Sequence, residues 1–211
     1  MVRACKSRSI RPKYGLWRNT KQVQIFRGSH WRRAEVAHRP PLLQAPTFRP
    51  LTSEDLPMLH EWLRRPHVAE WWHDPPNLVE LERDYLPRGT SASSTRAYIA
   101  LLAGTPIGFI QSYVALGSGD GWWEHETDPG TRGIDQFLAN ADQLGRGLGS
   151  TMVKAFVHQL LEDPSVTKVQ TDPSPDNQRA IRSYQRAGFV VHSEVVTPDG
   201  PALLMLRYRD S

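Results

Sequence analysis

The chain has a single cysteine, Cys5, in 211 residues. One thiol excludes an intramolecular disulfide framework, and no Cys/His spacing matches a zinc site, so a reducing compartment and no metal are expected. Long hydrophobic runs are missing as well. Nothing reaches the length of a membrane span or of a signal peptide's apolar region, which gives the expectation of a cytoplasmic protein without a membrane partner. Acids are almost absent from the first 46 positions. Residues 1–46 hold 11 Lys/Arg and only Glu35, a charge of +10, whereas residues 47–211 hold 15 Lys/Arg against 21 Asp/Glu, a charge of −6. The net +4 thus hides a basic segment joined to an acidic body. Residues 1–46 also lack a sustained helical or strand period and are expected to be a disordered extension, with the folded domain over 47–211. Trp17, Phe26 and Trp31 among arginines leave a nucleic-acid or membrane-surface arm as a disfavoured rival.

The body alternates its periodicities. "TFRPL" reads as a short strand. Thr52 with Asp55 can cap a helix that continues through Leu56, Leu59 and Leu63 to about residue 65, where Pro66 stops it. "EWW" (70–72) is a loop, and a helix is expected over 78–85. Residues 97–103 and 106–114 read as strands joined by a turn at Gly104. A polar loop with two tryptophans (115–130) precedes a strand at 132–139. A glycine turn leads to a helix over 148–161, followed by a strand at 166–171. "NQRAIRSYQRAG" is a helix, and 189–196 and 202–208 close a hairpin over Pro198-Asp199-Gly200. Strand pairs followed by alternating strand and helix indicate a mixed α/β sheet of the α+β type.

Two motifs carry chemistry. "LGRGLG" (144–149) joins a strand to a helix, and glycines there let backbone N–H groups and a helix N-terminus face a pyrophosphate. The loop is neither a Walker nor a Rossmann pattern. On the glycines alone, a cradle and an empty tight turn are equally compatible. In "NQRAIRSYQRAGF", Asn177 and Tyr184 lie two turns apart on one face, and Gly188 suits a helix stop. The two motifs, about 30 residues apart, resemble those of the GCN5-related N-acetyltransferases (GNAT). Gly147 and Gly149 match the acetyl-CoA loop, Leu144 stands where Gln or Arg is usual, and Asn177, Ala180, Tyr184, Gly188 and Phe189 match the later helix. The resemblance implies a single domain with a mixed, mostly antiparallel sheet, splayed at the acetyl-CoA site and flanked by helices. It implies cofactor contacts from Leu138, Ala139, Gly145, Arg146, Gly147, Leu148, Gly149, Ser150, Asn177, Ala180 and Tyr184, with Tyr184 as the acid that protonates the departing thiolate.

The acceptor side is acidic and aromatic. Asp135 sits in a strand, where Asp is disfavoured. Asp120, Asp172 and Asp199 fall in loops, and the chain has seven tryptophans, four of them in the pairs Trp71-Trp72 and Trp122-Trp123. Carboxylates beside flat rings suit a polycationic, ring-bearing ligand. The "EWW", "GSGDGWWEHETDPG", "GIDQ" and "TPDGPA" segments are similar to those of aminoglycoside 6′-N-acetyltransferases, over about Thr47 to Tyr208. The resemblance implies an aminoglycoside substrate, Asp135 as base, and drug contacts from Trp71, Trp72, Gln111, Tyr113, Asp120, Trp122, Trp123, Asp135, Asp172 and Asp199. A monomer or weak dimer is expected. The rivals are an acetyltransferase of another amine (a polyamine or a protein N-terminus), a nucleic-acid binder acting through the basic segment, and a non-catalytic CoA sensor.

Overall fold

The computed structural model describes residues 44–72, 77–86, 95–119 and 121–209. Asp120 and the basic stretch up to residue 43 lie outside them.

Strand β1 (Thr47–Pro50) is tied to the adjoining turn by one carboxylate. Arg49 donates to both oxygens of Asp55 at 2.6 and 2.7 Å, and the Thr52 N–H and hydroxyl reach Asp55 Oδ2 at 3.0 Å. The hydrogen bond from Arg49 is the main reason the Asp55 carboxyl lies below its ordinary range. A 3₁₀ turn at Ser53–Asp55 then opens α1 (Leu56–Leu63), which buries Leu56, Leu59 and Leu63 as their spacing predicts. Pro66 begins a new helix, α2 (Pro66–Ala69), as its first residue, where a missing N–H costs nothing. Asn77 caps α3 (Leu78–Tyr85) by accepting from the Val79 and Glu80 N–H groups at 3.1 Å.

Seven strands among the described residues form one sheet in the order β1-β2-β3-β4-β5-β7-β6. β2 (Arg96–Leu102) and β3 (Thr105–Val114) make a hairpin over Ala103 and Gly104, both at positive φ, as a right-twisted two-residue turn requires. β4 (Thr131–Leu138) runs antiparallel to β3, and a 3₁₀ turn at Ala141–Gln143, unforeseen in the sequence, leads to the glycine turn and α4 (Leu148–Leu161). β5 (Lys168–Thr171) is followed by α5 (Gln178–Arg186) and by the hairpin of β6 (Val190–Thr197) and β7 (Gly200–Tyr208). Only β4 and β5 pair in parallel, so the sheet is mixed and mostly antiparallel, as expected. One face carries α4 and α5 over Ile110, Ile134, Val169 and Met205. The other carries α1 and α3 over Ile99, Phe109 and Phe137. Strand alternation thus divides β4, with Ile134 turned to one layer and Phe137 to the other.

The site originates where the sheet opens. β4 and β5 pair only from Thr131–Gly133 to Lys168–Gln170, although β4 stays registered to β3 as far as Leu138. β5 ends at Thr171, and Pro173, which has no N–H, cannot extend a ladder. The Pro173 carbonyl instead accepts from Leu203 at 3.0 Å. The bonds Ala115 N–H to Thr131 O and Ala139 N–H to Ile107 O give the backbone groups of the odd β4 residues to β3. Those of Gln136 and Leu138 therefore face the splay.

No helix among the described residues is long and apolar enough to cross a membrane.

Candidate active site

The splay separates two cavities that share Trp71, Trp72, Gln136, Asn177 and Ala180 along their border. The first, of about 340 Å³, runs along the glycine turn. Gly145 and Gly147 have φ of 72° and 84°, left-handed values that a side chain resists, and a Cβ built on either meets nothing within 4 Å. Gly147 is the N-cap of α4, so the first N–H groups of that helix are left without helical acceptors at the groove. The groove is lined by Leu138, Leu144, Gly145, Gly147, Gly149 and Ser150 on one side and by Asn177 and Ala180 on the other. This is an open, unobstructed cradle of main-chain donors, which fits a pyrophosphate.

Asn177 has two jobs of different kinds. Its Oδ1 accepts the Ala180 N–H at 3.0 Å and caps α5, leaving the side-chain NH₂ for the groove. Leu138 is held by its carbonyl, which lies 3.0 Å from His67 Nε2, so its N–H is the group left facing the splay. Three expected cofactor residues are placed differently. Ala139 donates to Ile107 O at 2.8 Å, accepts from Arg65 at 2.7 Å and is buried in the α1/α3 core, so both its amide groups are spoken for. The Arg146 side chain is exposed and outside the groove lining, and Leu148 packs beside Ile107 and Met152. Neither side chain lines the groove.

The second cavity, of about 740 Å³, is the acidic bay. Trp71, Trp72, Gln111, Tyr113, Trp122, Asp135, Asp172 and Asp199 all line it, together with Tyr184. Trp123 does not. Its indole N–H donates to the Tyr113 hydroxyl at 3.1 Å, making it a brace behind the wall, and its backbone holds a φ of 52°. Tyr113 in turn crosses β4 over Gly133, where any Cβ would lie 2.1 Å from the ring. The glycine of "GIDQ" is therefore a steric requirement of the tyrosine. Trp72 is also part brace: it donates to Tyr85 at 3.2 Å and stands edge-on to Phe109 and Phe137.

Register brings Gln111 opposite Asp135, and the Gln111 amide donates to Asp135 Oδ2 at 2.9 Å. Burial raises Asp135 above the ordinary carboxylate value; the Gln111 hydrogen bond opposes this and the charge of Asp199 adds to it. Asp172 is pushed up to about 7, first by burial, then by Asp135 and Asp199. Burial likewise raises Tyr184, with Thr171 and Gln136 partly offsetting it, so its phenol stays protonated at neutral pH. A carboxylate with elevated basicity and a protonated phenol thus line the same bay. Glu70, Tyr85, Gln136 and Thr171 also line the bay without having been singled out in the sequence, and Tyr85 is raised to about 12 by burial. The spacing along α5 held a further signal: Arg179, Arg182 and Arg186 line the groove at helical intervals.

Residues 52–197 match the model of the acetyltransferase (GNAT) domain family. The chain is 57% identical over 168 residues to an aminoglycoside N(6′)-acetyltransferase type 1 of Klebsiella pneumoniae, covering 78% of this chain and 84% of that protein. The solved structure of AAC(6′)-Ib with paromomycin and acetyl-CoA superposes with a TM-score of 0.76 at 57% identity, over 79% of this chain and 95% of that one. AAC(6′)-Ib with coenzyme A and kanamycin gives 0.75 at 58% identity, over 79% and 96%. With the motifs, the splayed sheet and these relatives in agreement, the chain belongs to the GNAT acetyltransferase family, among its aminoglycoside N(6′)-acetyltransferases.

Proposed function

We propose that this protein transfers the acetyl group of acetyl-CoA to the 6′-amine of aminoglycosides and so confers resistance to them. The observation that carries the reading is the adjacency of the two cavities: an open glycine cradle shares Trp71, Trp72, Gln136, Asn177 and Ala180 with an acidic, tryptophan-walled bay that both Asp135 and Tyr184 line. A free alkylamine has a pKa of roughly 10 and arrives as a cation. Asp172, Asp199 and Glu70 hold the drug's ammonium groups, and Trp71 and Trp122 flank its rings. Asp135, braced by Gln111, accepts a proton from the 6′-ammonium, directly or through water. The freed nitrogen forms the new N–C bond, and the Leu138 N–H steadies the oxyanion. As the C–S bond breaks, Tyr184 donates its proton to the thiolate and regains one, through water, from the acylated nitrogen, which sheds its second proton to become the amide. The products are the 6′-acetamide and free CoA, and the drug has lost one positive charge.

Acetyl-CoA as co-substrate fits a reaction in the cytoplasm, and a groove and a bay lined by residues of one chain fit a monomer or weak dimer. Thiol release from acetyl-CoA tests the reading on kanamycin, an analogue without a 6′-amine, and spermidine. Turnover is expected with kanamycin alone, and Asp135→Ala should lower kcat far more than CoA affinity. Equal turnover with spermidine would move the protein to the polyamine class.

A further inference from the structure

We infer that the arginine face of α5 reads the 3′-phosphate of the acyl donor; this rests on the acetyl-CoA reading above. The groove must take a polyanion in a body whose net charge is −6 over residues 47–211. The glycine turn's own cation, Arg146, does not line it, whereas Arg179, Arg182 and Arg186 do. α5 reads QRAIRSYQR, with three arginines and no acid. They stand at i, i+3 and i+7, on one face and within roughly 10 Å along the axis. All three are exposed, and none has an ion-pair partner among the described residues. Like charges at i, i+4 repel, and Arg179 in the first turn opposes the helix dipole. The free helix is thus electrostatically unfavourable in a way that an anion would relieve.

Position selects the anion. Ser183 Oγ lies 3.2 Å from Ser150 Oγ, and a Cβ on Gly149 would come within 3.4 Å of it, so Ser183 marks where α5 meets the glycine turn. At 3.6 residues per turn, Tyr184, Ser183 and then the arginines succeed one another around the helix. A ligand with its thioester at Tyr184 and its pyrophosphate at the turn beside Ser183 carries its remaining phosphate onto the arginine face. That monoester is a near-dianion, and guanidinium forks bind such groups bidentately.

Calorimetry with CoA and dephospho-CoA, which lacks only the 3′-phosphate, tests this on the full chain at fixed salt. The wild type is expected to prefer CoA by about ten-fold or more. In the triple variant Arg179→Gln/Arg182→Gln/Arg186→Gln the preference falls to roughly three-fold or less. Arg64→Gln, on the exposed end of α1, keeps it. Melting temperature and kanamycin binding serve as fold checks and should not move. A preference that survives in the triple variant, or is absent from the wild type, overturns the inference. A wild type that binds neither nucleotide overturns the acetyl-CoA reading along with it.

Discussion

A bay built to hold cations must tolerate its own carboxylates when empty, and Asp172 bears much of that conflict. Its folded value of about 7 lies above the ordinary 3.8, with burial as the first cause and Asp135 and Asp199 as the next. The folded protein therefore binds an extra proton between those values. Stability contributed at this residue falls as pH rises through that window, and the penalty is complete above about pH 7. Asp172→Asn is expected to melt at a higher temperature than wild type at pH 8, with the gap narrowing steadily as pH drops from 7 towards 4. Kanamycin affinity at pH 8 should fall by about ten-fold, because a charge-assisted contact is lost. Thermal melts at pH 8, 6 and 5, with titration calorimetry at pH 8, check both. A melting gap that does not change with pH would mean that ionisation is not its origin.

Helix α5 brings residues that fix its own two ends to the edge of the groove and the bay. Its end is a Schellman motif: Phe189 N–H donates to Tyr184 O and Gly188 N–H to Gln185 O, both at 3.0 Å, with Gly188 at a φ of 95°. The rings of Tyr184 and Phe189 pack 5.5 Å apart, so the hydrophobic contact that accompanies this motif also fixes the phenol. At the other end, Asn177 divides its amide between cap and groove. Asn177→Ser keeps an N-cap oxygen and loses the amide donors, so melting temperature should hold while CoA affinity drops. Asn177→Ala loses both and should cost about 1 kcal/mol of stability besides. If the serine variant binds CoA as wild type does, the amide makes no cofactor contact.

The positions of cap, phenol and stop on α5 were legible because they are local in sequence. Asp135 was legible because a strand carboxylate is unusual. The hold of Gln111 on Asp135 depends on register between strands 24 positions apart, and the arrival of Tyr85 depends on how α3 packs over Phe109; neither leaves a local trace. Trp123 misled for the same reason, since a paired tryptophan looks the same whether it lines a wall or props it.

At the scale of the molecule, two opposed fields act on the same ligand. Residues 47–211 carry −6 and attract a polycationic drug, while residues 1–46 carry +10 and reverse the net sign to +4. The carboxylates of the bay act at contact, where screening is weak, but approach is governed by the longer-range field. Removing residues 1–46 takes away none of the described residues that line the groove and bay and turns the net charge to −6. Drug association should then quicken by several-fold up to about ten-fold at low salt, with the advantage fading as salt approaches roughly 0.5 M. Acetylation kcat and CoA affinity should stay as they are, because chemistry and nucleotide binding draw on residues of the body. Stopped-flow tryptophan fluorescence can follow this, since Trp71 and Trp122 line the bay and report its filling. A truncated chain that takes up kanamycin more slowly, or that loses CoA affinity, would make the basic segment part of the binding apparatus, and the acidic body alone would no longer account for recognition.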